Sequence, residues 1–180
     1  EITTRLVGSE MCIRDSCTYA RSSAIILYDF CKALHIPVTV YGHSTSGSSV
    51  ELYSYAEFES IDNDDKYRMM DIAARGSNRD GAALRFVAEQ LVKRPEEVKI
   101  LILVSDGQPA APGYYGSAAE EDLRGIRQEY RRKGVLFIAA AIGEDKQNIE
   151  RIYGDSFMDI TDLNQLPVKL TAAVKRHMRV

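Results

Sequence analysis

The sequence contains no tryptophan, few prolines, and three cysteines (Cys12, Cys17 and Cys31) without a CxxC pair. An odd, scattered cysteine set argues against a disulfide framework or a zinc ribbon. Free thiols in a reducing compartment fit better, so a cytoplasmic location is expected. No basic-then-apolar leader opens the chain, and export is not expected. Its longest strongly apolar run, Ile100 to Val104, falls far short of the roughly 20 residues that cross a bilayer. Neither sign of charge dominates, with 23 Lys and Arg against 26 Asp and Glu. That balance offers no basic field for nucleic acid and no polybasic surface for anionic lipid. GxSxG, GxxxxGK[ST], GxGxxG and HExxH are all missing. Neither Cys17 nor Cys31 has a His-plus-acid pattern beside it, so a nucleophilic thiol is not expected.

What the sequence does hold is an alternation of helical and strand patterns. The 180 residues, 45% of them hydrophobic, suit one α/β domain. Ala20, Ala24, Leu27, Tyr28, Cys31 and Leu34 share one helical face. Val38 to Tyr41 reads as a short strand, Gly42 to Ser49 as a polar loop, and Val50 to Phe58 as a second strand. Leu84, Val87, Ala88, Leu91 and Val92 give a helical stripe. Lys99 to Ser105 and Val135 to Ile142 are near-continuous apolar runs, the pattern of central strands covered on both faces. Ser117 and Glu120 are spaced as a capping box for a helix running to about Lys133. A short helix near Asn148, a weak strand at Phe157 to Ile160, and a helix from about Leu166 follow. The fold class expected is a doubly wound, mainly parallel α/β sheet with helices on both faces.

Residues 1–16 break the pattern, since Glu1 to Ser16 shows neither strand alternation nor a helical stripe. The segment is similar to peptides translated from sequencing-adapter reads. The first strand is therefore expected to be missing or replaced, and residues 17–180 to form an N-terminally truncated domain.

The sharpest local signal is Ser105-Asp106-Gly107-Gln108-Pro109, directly after an apolar strand. Ligands of parallel sheets gather at the carboxyl ends of strands. A carboxylate backed by a hydroxyl there is a hard-oxygen set suited to Mg²⁺ or Mn²⁺; the same residues also make an ordinary turn. In Ser77-Asn78-Arg79-Asp80-Gly81, Asn78 and Asp80 can each offer an oxygen beside Asp106, or one can cap the following helix, the reading favoured for Asp80. His43 lies in the Gly42 to Ser49 loop and can face the same rim. Tyr114 and Tyr115 can form an aromatic contact patch.

SNRDGAAL followed by KILILVSDGQP resembles the second and third metal loops of a von Willebrand factor A (VWA) domain. YDFCKALHIPVTVYGHSTSG and DGAALRFVAEQL are similar to the VWA domain of the cobaltochelatase subunit that partners an AAA+ ATPase, and to that of nitric oxide reductase activation proteins. The resemblance implies a metal-ion-dependent adhesion site with Asp106 as third-loop ligand, Asn78 at the threonine position and Asp80 beside it. It further implies a partner-binding rim including Gly107, Gln108, His43 and Tyr114. The implied partner is an AAA+ ATPase or a metallo-enzyme subunit offering a carboxylate. Two departures bear on the metal site: around Asp15 the chain reads DSCTY, not DxSxS, and Asn78 replaces a threonine hydroxyl with an amide that can still offer one oxygen. Mg²⁺ or Mn²⁺ is thus expected to bind weakly or not at all. The alternative is a Mg²⁺-dependent hydrolase or phosphatase using Asp106, although no second acidic residue stands two positions away.

Overall fold

A computed structural model describes residues 2–9, 14–59, 63–73, 75–142 and 146–178. The two apolar runs seen in the sequence become adjacent central strands, β4 (Val98–Ser105) and β7 (Val135–Ala141), paired in parallel from Lys99–Val135 to Ser105–Ala141. Their lack of alternation has a simple cause, because each face of the sheet meets its own core. Ile100, Ile102 and Val104 of β4, with Ile138 and Ala140 of β7, join one cluster. Leu101 and Leu103, with Val135, Phe137, Ala139 and Ala141, join the other. Successive side chains point to opposite faces, so a strand buried twice has no polar side to show.

The rest of the sheet comprises β1 (Ile2–Ser9), β2 (Val38–Ser46), β3 (Ser49–Ala56) and the short β8 (Phe157–Asp159), in the order β3-β2-β1-β4-β7-β8. All neighbours are parallel except the β2–β3 hairpin. Helix α1 (Arg14–Ala33) and α6 (Leu166–Met178) supply the first core. The opposite core takes α3 (Asp80–Val92), α4 (Gly116–Arg132) and α5 (Lys146–Tyr153). A one-turn helix α2 (Asp65–Met69) lies beside β3, and β5 (Ala110–Ala111) pairs with β6 (Tyr114–Tyr115) between β4 and α4. No helix among the described residues is long and apolar enough to cross a membrane.

Three expectations are corrected. A first strand is present: Ile2–Ser9 lies between β2 and β4 and pairs with both. Thr3 and Thr4 are fully buried there, and the Thr4 N–H donates to the Pro37 carbonyl at 3.0 Å. β-Branched residues tolerate a strand well, and the polar run Thr3-Thr4-Arg5 had hidden it. The Gly42 to Ser49 loop is instead the continuation of β2 into a tight hairpin, turned at Gly47 with φ +60°, a left-handed conformation that glycine adopts without strain. The Ser117–Glu120 capping box does not form. Tyr115 occupies the cap position of α4 without a side-chain bond, while the buried Glu120 carboxylate pairs with Arg124 and Arg151. Cys17 and Cys31 are buried and free. The atypical stretch at residues 10–13 lies outside the described residues.

Because β1 is flanked on both sides, removal of residues 1–9 is expected to abolish cooperative thermal unfolding and not merely to lower its midpoint. A cooperative melt in the shortened chain would show that the other five strands close without it.

Candidate protein-binding rim

The carboxyl ends of the parallel strands form one rim of the sheet, where two loops, residues 105–115 and 77–80, meet the end of β2. The last residue of β4, Ser105, is buried; its hydroxyl donates to the Gly107 carbonyl at 3.2 Å and accepts the Gly107 N–H at 3.4 Å. This bond holds Asp106 at the edge, half-buried, with Gly107 half-buried and Gln108 exposed.

The second loop is buried, and one carboxylate organises it. Asp80 is only 1% exposed. Its Oδ1 lies 2.8 Å from His43 Nε2, and its Oδ2 accepts from Asn78 Nδ2 at 3.4 Å. Asn78 turns its oxygen the other way, accepting the Ala110 N–H at 2.7 Å, while Nδ2 also donates to the Gln108 carbonyl at 3.3 Å. Swapping the amide would set two donors against each other at Ala110, so the chemistry fixes this orientation. Asp80 is not the helix cap expected of it. Arg79 holds that position, and Asp80 is the first helical residue, where a negative charge complements the helix dipole.

Neighbouring contacts join the loops into one body. Ser77 bridges to Thr45 of β2, and Asn78 bridges to Ala110 of β5. The Arg79 N–H donates to Thr45 Oγ1 at 3.1 Å, its guanidinium donates to the Pro112 carbonyl at 2.7 Å, and its side chain lies over the Tyr114 ring. The Tyr114 hydroxyl accepts from the Gly81 backbone and donates to Asp122 Oδ2 at 2.7 Å; Asp122 Oδ1 accepts from Arg85 at 2.7 Å. Burial, followed by the bond to Asp122, pushes the Tyr114 hydroxyl far above its usual range. Burial also raises Asp122, but the bonds from Arg85 and Tyr114 outweigh it and hold that carboxyl below its ordinary value. Tyr153, buried beneath this network and stacked on Phe137, is pushed well up by burial.

The candidate residues therefore divide. Asp106, Gly107 and Gln108 reach the surface of the rim. His43 does not: it sits on β2, is 0% exposed and is spent on Asp80, so the expectation that it contacts a partner is corrected. Tyr114 is half-buried under Arg79, and its neighbour Tyr115, 69% exposed, is the aromatic surface of the pair. The alternation of β6 decides which tyrosine faces out. Sequence spacing gave no sign of the bracing role of Arg79.

Within the second loop the candidate oxygens are occupied by protein hydrogen bonds. The Asn78 oxygen is committed to Ala110, its amide hydrogens point at Asp80, and both Asp80 oxygens already accept from protein donors. Among the described residues no group of three His, Cys, Asp or Glu side chains could hold a metal. The side chains of Asp15 and Ser16 lie outside the described residues.

The sequence model described as "Cobalamin biosynthesis protein CobT VWA domain" matches residues 67–178. Among curated relatives, protein YojO of Bacillus subtilis is 24% identical over 97% of this chain and 30% of its own length. Protein NorD of Brucella suis is 34% identical over 52% of this chain and 15% of its own length. The chain thus spans less than a third of the length of these relatives. Solved structures share the fold at low identity. The manganese-loaded TRAP protein of Plasmodium vivax has a TM-score of 0.66 at 12% identity, covering 98% of this chain and 73% of that one. The mussel proximal thread matrix protein 1, with zinc in its adhesion-site motif, has 0.59 at 19%, covering 97% and 47%.

Two outcomes are expected. A Cβ at Gly81 would lie 2.3 Å from Asp122 Oδ2 and 2.4 Å from the Tyr114 hydroxyl oxygen. Gly81→Ala should therefore push that pair apart and cost about 1–3 kcal/mol in urea unfolding. Because the Asp122 carboxyl is depressed in the folded state, its contribution is complete above the unfolded value near ~4 and is lost as pH falls through the folded one. Asp122→Asn should flatten the acid side of the stability profile below about pH 4, while an unchanged profile would show that the pair contributes nothing.

Proposed function

The chain belongs to the family of the cobalamin biosynthesis protein CobT VWA domain, and on that premise we propose that it is a non-catalytic protein-binding module working through the rim of its sheet. In this reading the domain does not begin at residue 17, because β1 (Ile2–Ser9) and the start of α1 belong to the same sheet-and-helix fold as the family's match at 67–178. The observation that carries it is the cross-bonding of the loops around Asn78, Arg79 and Asp80, which presents Asp106, Gly107, Gln108 and Tyr115 on a preorganised surface. Preorganised loops lose little freedom on binding, which leaves more of the contact energy as affinity. Among the described residues of the rim, no nucleophile is joined to a general base.

The partner in this proposal is an AAA+ ATPase or a metallo-enzyme subunit, as the likeness to cobaltochelatase and nitric oxide reductase activation proteins implies. In relatives with a complete adhesion site, a cation would accept a carboxylate from such a partner. In our proposal Asn78 and Asp80, whose oxygens already accept protein hydrogen bonds, do not complete that site. Recognition then rests on the polar and aromatic loop surface, with Mg²⁺ or Mn²⁺ bound weakly or not at all.

The test is a calorimetric titration of Mg²⁺ and Mn²⁺ beside a binding assay against a purified AAA+ ATPase of a cobaltochelatase-type system. No saturable metal binding is expected. The ATPase should bind equally well in EDTA and about tenfold more weakly to Tyr115→Ala, the size of loss seen for a truncated aromatic contact. A saturable metal isotherm lost in Asp106→Ala, together with EDTA-sensitive partner binding, would overturn the metal-independent reading.

A further inference from the structure

The far edge of the sheet is incompletely paired. β7 runs from Val135 to Ala141, but β8 pairs only with Ala139, Ala140 and Ala141. Hydrogen bonds at the top of β7 fix which way its backbone faces. The Ile142 N–H donates to the Ser105 carbonyl, toward β4, and the Ala141 carbonyl accepts from Ile160, on the β8 side. Backbone direction alternates along a strand, so Val135 and Phe137 turn their N–H and C=O groups to the β8 side. Among the described residues no strand continues β8 along that stretch.

A groove of about 680 Å³ lies there, lined by Leu136, Phe137, Ile138, Phe157, Ala173 and the two arginines Arg131 and Arg176. Arg131 comes from the end of α4 and Arg176 from α6, so a cation stands over each face of the sheet at this edge. Asp155 is the acidic residue in the groove wall. It accepts from Arg127 and Arg131 at 2.7 Å each, and those two cations and Arg176 hold its carboxyl below the usual range, the Arg131 bond most strongly. Arg131 and Arg176 against Asp155 leave the groove lining with a formal charge of +1, and Arg127 bonds Asp155 from beside it.

We propose that this groove is a second docking site, which takes an extended, carboxylate-bearing segment of a partner protein as an added strand on the open half of β7. Main-chain groups of Val135 and Phe137 supply the ladder bonds, and the Arg131 and Arg176 pair selects acidic side chains flanking the strand. The site stands near the amino ends of the parallel strands, away from the rim, so both surfaces can be occupied at once. It does not rest on the rim reading.

The probe is a fluorescent, blocked octapeptide of alternating valine and glutamate, added to the intact chain. Anisotropy should show saturable binding that weakens with salt and falls at least about tenfold in the double variant Arg131→Glu, Arg176→Glu, the scale expected for reversing two flanking charges. Amide exchange should slow at Phe137 and leave Gly107 and Gln108 unaffected. A cooperative melt of the variant shows that the loss is not unfolding, and a single Arg176→Glu change at an exposed position serves if the double variant does not fold. Absence of binding, equal binding of the valine–lysine peptide, or unchanged exchange at Phe137 would each overturn the proposal. Full competition by free glutamate or phosphate would overturn the strand in favour of a small-anion site.

Discussion

A carboxylate buried at the start of α3 sets the terms for everything around it. Asp80 is almost without solvent, and an isolated charge in that position would be too costly to keep. Its stability depends on His43 Nε2 and the Asn78 amide. Those partners belong to different pieces of chain, so satisfying one side chain ties β2 to the loop at residues 77–80. Asn78 extends the tie by accepting from Ala110 and donating to Gln108. Removing one member of such a network leaves a buried donor or acceptor alone, at a cost of about 1–3 kcal/mol. The rim's shape is thus a by-product of supplying hydrogen bonds to Asp80.

The doubly covered sheet makes this arrangement possible. With β1 and β4 side by side and helices on both faces, the strand ends are carried to a common edge. Loops leaving that edge have nowhere to go except over one another. The same covering explains the weakness at the other margin of the sheet. β8 is three residues long, and the neighbouring strand outruns it by four. One end of the molecule is closed by cross-bonded loops, and one edge stays open between two cationic helix ends.

Much of the architecture was legible in the sequence, because burial on two faces writes continuous apolar runs such as KILILVS and VLFIAAAI. Helix α3 announced itself by a clean stripe. The family was legible in SNRDGAAL and VSDGQP, and the element order agreed with it. Other features were hidden for physical reasons. β1 was obscured because Thr3 and Thr4 are polar by composition yet buried by position. The second half of β2 looked like a loop since Gly42 has no side chain and His43, Ser44 and Thr45 carry hydrogen-bonding ones, and only the structure shows them all buried in a strand. Placing His43 in a strand instead of a loop converts it from a contact residue to the partner of Asp80. Asn78 likewise has the composition of a metal ligand, but its amide is turned by Ala110, a constraint that no spacing in the sequence records.

The central claim is that Asp80 is held by His43 and Asn78, and not by a cation. The most direct measurement is the ¹⁵N-edited NMR spectrum of the His43 ring, with and without Mg²⁺. The account predicts an Nε2–H signal protected from solvent exchange and unchanged by the metal, as expected for a proton donated to a buried carboxylate. A signal that exchanges freely, or one that is lost as Mg²⁺ is added, would show that Asp80 is free to take a cation and would contradict it.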